Sequence, residues 1–192
     1  MEQMEMSKLM PVLLPFAIFI PILWLVAQGI KRSANKYPPV ALGESSVSGV
    51  GGWLLFLIFL FFLLPLRDLA SIYDTFKTVE LQYPVLTQNP DYNTYKTLAW
   101  GSFFVATCLS VYAGVGLASG RNTKVVKRAI ITLWIIGPIA GLFMEAILPV
   151  FAFGKSEIDP QALGRITAST VGAAIWTAYL YKSKRVRATY GN

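Results

Sequence analysis

Apolar residues gather into five long runs, at about 9–30, 50–66, 97–118, 129–153 and 165–181, and the polar stretches between them hold nearly all the charge. A helix needs ~17–25 such residues to cross a hydrocarbon layer ~30 Å thick, and each run is near or above that length. In lipid every backbone N–H and C=O has to be satisfied within its own segment. Continuous runs of this kind therefore predict helices rather than the short alternating strands of a barrel. The expected fold is an all-α integral membrane protein, a bundle of five transmembrane helices with an outer amphipathic segment. Residues 1–48 supply an N-terminal helix and an inner linker; residues 49–192 supply a four-helix core with a basic C-terminal tail.

The polar intervals refine this layout. Pro11, Pro15 and Pro21 predict a bent first helix, which lipid-embedded helices tolerate. The residues before it are acidic, so an anchor helix fits better than a cleaved signal peptide. Pro38, Pro39 and the small residues from Gly43 to Gly49 read as a linker. Between 67 and 96, Leu69, Ile72, Phe76, Val79 and Tyr83 recur at helical spacing, with Asp68, Asp74, Lys77 and Glu80 mostly off that stripe. The stripe suits either an outward extension of the second helix, a helix lying on the membrane, or a docking face for a partner. Pro84 and Pro90 close the segment, and Tyr92, Tyr95 and Trp100 suit the headgroup level. Small residues four apart (Gly116 with Gly120, Gly137 with Gly141, Ala168 with Gly172, Ala174 with Ala178) predict close packing of the last three spans.

Composition agrees with a membrane protein: 55% of the 192 residues are hydrophobic and 14% charged, against about a quarter charged in soluble domains. The net charge of +7 would invite a nucleic-acid reading, but its placement excludes one. With the N-terminus outside, the inner segments carry 11 basic residues against the single acid Glu44, and the outer segments carry 6 basic and 8 acidic residues. That asymmetry predicts an outer N-terminus and a cytoplasmic C-terminus, with anionic lipid at the basic inner face. The tail from Lys182 to Arg187, following Trp176, Tyr179 and Tyr181, reads as a stop-transfer anchor or, more sharply, a phospholipid-binding segment.

Few residues could carry chemistry. Glu145 is the one acid well inside an apolar run, a position that marks a functional hypothesis by default. Arg67 and Arg165 are its candidate partners from neighbouring outer ends, and Asp68 is the acid that could approach it. Pro138 and Pro149 bracket the same stretch, which suits either a broken helix with exposed carbonyls or an ordinary kinked membrane helix. The single cysteine, Cys108, is expected as a buried, inert thiol. With no histidine and one cysteine, zinc, haem and blue-copper sites are excluded. No phosphate loop, nucleophile elbow or metalloprotease motif occurs. Neither an enzyme nor a cofactor is expected.

Two stretches point to a known family: Gly51-Gly52-Trp53-Leu54, opening the second span, and Trp176-Thr-Ala-Tyr-Leu-Tyr-Lys-Ser-Lys-Arg-Val-Arg-Ala-Thr-Tyr190, closing the last. Over roughly residues 49–190 the chain resembles the bacterial inner-membrane family known as domain of unknown function 2569. The resemblance implies a bacterial inner membrane and about four membrane helices, with the first helix an addition. It brings no catalytic residues. The expected role is a non-catalytic accessory, assembly or scaffold protein, acting through membrane lipids and a membrane-protein partner or further copies of itself. The alternative is a small transporter or an ion- or proton-responsive protein centred on Glu145.

Overall fold

No charge interrupts the chain from Trp53 to Leu66, and helix α1 (Trp53–Gln82) begins there and continues through the amphipathic stripe. The computed structural model describes residues 49–154 and 160–191, together with Gln28, Gly29 and Arg32. The first apolar run, its prolines and the linker fall outside the described residues apart from those three positions. Lys155, Glu157 and Asp159 fall outside them too.

A 3-10 turn at Pro84–Gln88 reverses the chain into α2 (Pro90–Ser119). Asn89 starts α2 by accepting hydrogen bonds from the amides of Asp91 and Tyr92, while Pro90 occupies the first turn, where no donor is needed. Asn122 caps α3 (Thr123–Phe153) in the same way, and Gly154, with φ of 69°, ends it in the left-handed region. Helix α4 covers Pro160–Lys182 and a short α5 covers Lys184–Tyr190. Among the described residues there is no strand.

Helix α2 packs against α1 and α3, and α4 packs against α3; α1 and α4 make no comparable backbone approach. The close α1–α2 contact depends on Gly114. A Cβ there would lie 2.9 Å from the Phe62 ring and 3.1 Å from Phe61 Cβ. One core cluster, built on Leu54, Ile58, Phe61, Leu117, Val126 and Leu180, fills the end where α1 starts and α4 finishes. A smaller one, Phe76 with Tyr92, Ala99 and Leu148, ties the far end of α1 to α2 and α3. The 67–82 stripe is thus an extension of α1, with Phe76 as its buried anchor and Leu69 and Tyr83 left exposed.

Among the described residues, three helices, α1, α2 and α3, are long and apolar enough to cross a membrane. Helix α4, the expected fifth span, is not among them, because Thr167, Ser169, Thr170, Gly172 and Thr177 dilute its hydropathy. The chain does not break between Pro138 and Pro149. It stays helical from Thr123 to Phe153 and widens into π turns at Ile135–Ile139 and Phe143–Ile147, which accommodates the missing proline donors. Cys108 is exposed, because it lies on the outer face of α2 rather than against its neighbours. Of the small-residue pairs, Gly137 and Gly141 do face α4: a Cβ added at Gly137 would lie 3.7 Å from Ser169, and one at Gly141 3.4 Å from Ile166. Ala168, Ala174 and Ala178 instead point outward, and Ala173 is the buried one.

Candidate functional site

Proline at position 65 shapes the centre of the bundle. It has no N–H to donate to the Phe61 carbonyl one turn earlier, and that group is buried where water cannot replace the bond. Ser110 of α2 supplies it: the hydroxyl, itself 1% exposed, donates to Phe61 O at 2.6 Å. Beside this link, in the gap between α1 and α4, lies a cavity of about 260 Å³. Leu57, Leu60, Phe61 and Leu64 line it from α1, Phe103 and Ala106 from α2, Leu133 and Ile136 from α3, and Gly172, Ala173 and Trp176 from α4. Native cores rarely hold a void larger than a water, and this space approaches the lower end of ligand sites, ~300 Å³.

Polar atoms are few and graded along the cavity. Thr107 is among the lining residues, and its Oγ1 is buried without a hydrogen-bond partner. One turn of α1 beyond Pro65, Arg67 and Asp68 stand at the rim. Arg67 donates from Nε at 3.0 Å and from Nη2 at 2.8 Å, both to Oδ1 of Asp68. Both side chains are open to the surroundings, at 73% and 49% exposure.

Glu145 does not line this cavity. It sits in the second π turn of α3, where Arg165 of α4 donates to its Oε1 from Nη2 at 2.7 Å and from Nε at 3.1 Å. Of the two candidate arginines, the structure therefore places Arg165 on Glu145 and Arg67 on Asp68. Each acid has its own arginine, and the geometry does not assemble a carboxylate pair between them. From Arg165 to Lys182 along α4, and from Arg128 to Glu145 along α3, the helical rise gives about 26 Å. The Glu145–Arg165 pair so lies roughly a hydrocarbon thickness from the basic end.

Beyond that level α1 and α2 continue as a helical hairpin. Lys96 Nζ meets Glu80 Oε1 at 2.5 Å, and the Tyr92 hydroxyl donates to the same oxygen at 3.2 Å. Leu81, Tyr83 and Val85 at its tip are 72%, 61% and 79% exposed.

The opposite end holds a structure that sequence reasoning missed. The basic tail folds back as α5, with Ser183 accepting from the Val186 amide at its start. Val186, Thr189 and Tyr190 are buried. The last carbonyls of a helix lack the next turn's amides; at the end of α2 the Tyr190 hydroxyl donates to Leu117 O at 2.5 Å and Arg121 Nη1 to Ala118 O at 3.1 Å. Thr189 Oγ1 accepts from the Gly49 amide at 2.9 Å. The end of the Arg185 side chain lies over Gly51: a Cβ there would be 2.6 Å from Arg185 Nη1, so the guanidinium would have to shift. Trp176 stacks obliquely on Trp53 and Phe56. The two motifs that suggested a family thus meet in space and close one end of the bundle. The spacing of Val186 and Tyr190, four apart in a basic run, was the signal for a buried face. Arg121, Lys124, Lys127, Arg128, Lys182, Lys184 and Arg187 surround this end, and among the described residues no acid does.

The chain belongs to the family described as protein of unknown function (DUF2569), whose pattern matches residues 47–191. The match runs from just before Gly49 to just after Tyr190, the two sides of that closure. No curated protein and no solved structure matches the chain.

Proposed function

We propose that this DUF2569 member is a non-catalytic accessory or scaffold protein of a bacterial inner membrane, with its C-terminus in the cytoplasm, working through a membrane-protein partner or further copies of itself. The observation that carries this reading is the hairpin. From Arg67 to Gln82, α1 extends about 24 Å beyond the rim of the bundle at the helical rise. It is braced by the Glu80–Lys96 ion pair and by Phe76 against Tyr92. Such a braced arm ending in exposed Leu81, Tyr83 and Val85 is suited to present a surface at a fixed height above the lipid. The concentration of cations at the other end suits anionic lipid.

A second reading has its own observation. Glu145 lies in a π turn of a long apolar helix, a geometry that recurs at functional sites. There it would make the protein a small transporter or an ion-responsive one. Its pairing with Arg165 favours a structural role for the carboxylate.

Two variants separate the readings in purified material from the native membrane. Replacing Leu81, Tyr83 and Val85 together by serine is expected to remove a stoichiometric co-purifying protein, or to dissolve the homo-oligomer, while leaving the helical content unchanged. Glu145→Gln is expected to keep that association, with only some loss of stability. An association indifferent to the tip, together with an ion or proton flux abolished by Glu145→Gln in a folded protein, would reverse the choice.

A further inference from the structure

We infer that the cavity between α1 and α4 holds one acyl chain of a zwitterionic phospholipid whose headgroup sits on Arg67 and Asp68. The order of groups along the site is the order of groups along such a lipid. At the rim, the Arg67 guanidinium offers donors to a phosphate. Both of its hydrogen bonds to Asp68 go to Oδ1, so the other carboxylate oxygen remains open to an ammonium. Deeper, the lining is mostly hydrocarbon, with Leu57, Ile136 and Trp176 around the space.

The charge at the rim decides the class of lipid. A purely anionic headgroup would find its phosphate favoured by Arg67 and opposed by Asp68. A headgroup bearing both signs satisfies both side chains, each already exposed. The side opening follows from the fold, since α1 and α4 are the neighbours that do not close on one another. A chain can therefore enter from the bilayer without unfolding the bundle. Gly172 supplies the room: a Cβ there meets nothing within 4 Å. This inference stands apart from the proposed scaffold role, because a bound lipid is compatible with either reading of the function.

The test is photo-crosslinking of the full chain in vesicles of mixed phosphatidylethanolamine and phosphatidylglycerol. A trace of phosphatidylethanolamine with a diazirine at the end of one acyl chain serves as the probe, and adducts are mapped by peptide mass spectrometry. Adducts are expected on Leu57 and Ile136, and Gly172→Leu, which fills the space, should lower them about tenfold. Ala106→Leu, from a different helix, should do the same, which keeps the test decisive if one variant folds poorly. Adducts confined to outward residues such as Val111 and Ile175, or unchanged in a folded filling variant, would overturn the inference. With the same photoreactive chain on phosphatidylglycerol, cavity labelling is expected to be weaker, and Asp68→Asn should erase the difference. Equal labelling by both lipids in the unaltered protein would overturn the headgroup assignment.

Discussion

The Ser110 hydroxyl is the residue on which the centre of the bundle turns, and its importance arises from a neighbour in a different helix. Pro65 leaves the Phe61 carbonyl without its helical donor, and Ser110 donates to it at 2.6 Å. A buried acceptor left unpaired costs about 1–3 kcal/mol. Ser110→Ala should therefore lower the stability of the detergent-solubilised protein by roughly that amount, read from thermal or denaturant unfolding. The cause is checked by a second substitution. Pro65→Ala restores an N–H to the turn, so adding it should remove most of the cost of Ser110→Ala. If the two changes add independently, the hydroxyl is acting through something other than the Phe61 carbonyl. None of this was legible in the sequence. The proline announces a missing donor, but nothing in the one-dimensional chain tells that position 110 stands opposite.

At the scale of elements, the long helices were legible because lipid asks for length and continuity: runs 97–118 and 129–153 lie inside α2 and α3, and α1 begins at Trp53, just inside run 50–66. What could not be read was how each end is finished, since capping depends on which group a fold brings near. The short α5 shows this best. Its basic residues suggested a solvated anchor, yet Val186 and Tyr190 turn inward and Tyr190 caps α2 through Leu117. Burial holds the Tyr190 phenol well above its ordinary value, a direction opposed only in part by the nearby Arg121 guanidinium. The folded protein therefore keeps a proton that the unfolded chain releases above pH ~10. Stability from this group is whole below that pH and declines as the pH rises further. Tyr190→Phe should cost about 1 kcal/mol at neutral pH through the lost hydrogen bond. It should also flatten the alkaline fall in unfolding midpoint. An alkaline limb as steep in the variant as in the parent would place the sensitivity at another tyrosine.

For the whole molecule, the open matter is whether α4 crosses the bilayer, since composition alone leaves it out of the three apolar helices. Its polar residues are not free to solvate, however. Thr167 donates to Leu163 O, Ser169 and Thr170 to Ile166 O, and Thr177 accepts from the Trp134 indole at 3.1 Å. Hydroxyls satisfied within a helix, or by the next one, lose most of their claim on water. The outward face of α4 meanwhile presents Leu163, Val171 and Ile175. If α4 spans, as this argument expects, the hairpin tip and the tail lie on opposite sides. The outward Cys108 must first be removed, so the test begins from Cys108→Ser, with a single cysteine then placed at Gln88 or at Lys184, both exposed. In sealed vesicles of one orientation, a membrane-impermeant maleimide should label only one of the two, and permeabilisation should release the other. The parent Cys108 should resist the same reagent throughout, because the face it occupies meets hydrocarbon. Labelling of both new cysteines from one side would mean that α4 lies along the surface. The Glu145–Arg165 pair would then be a contact at the membrane boundary, and the gap between α1 and α4 would open to water instead of lipid.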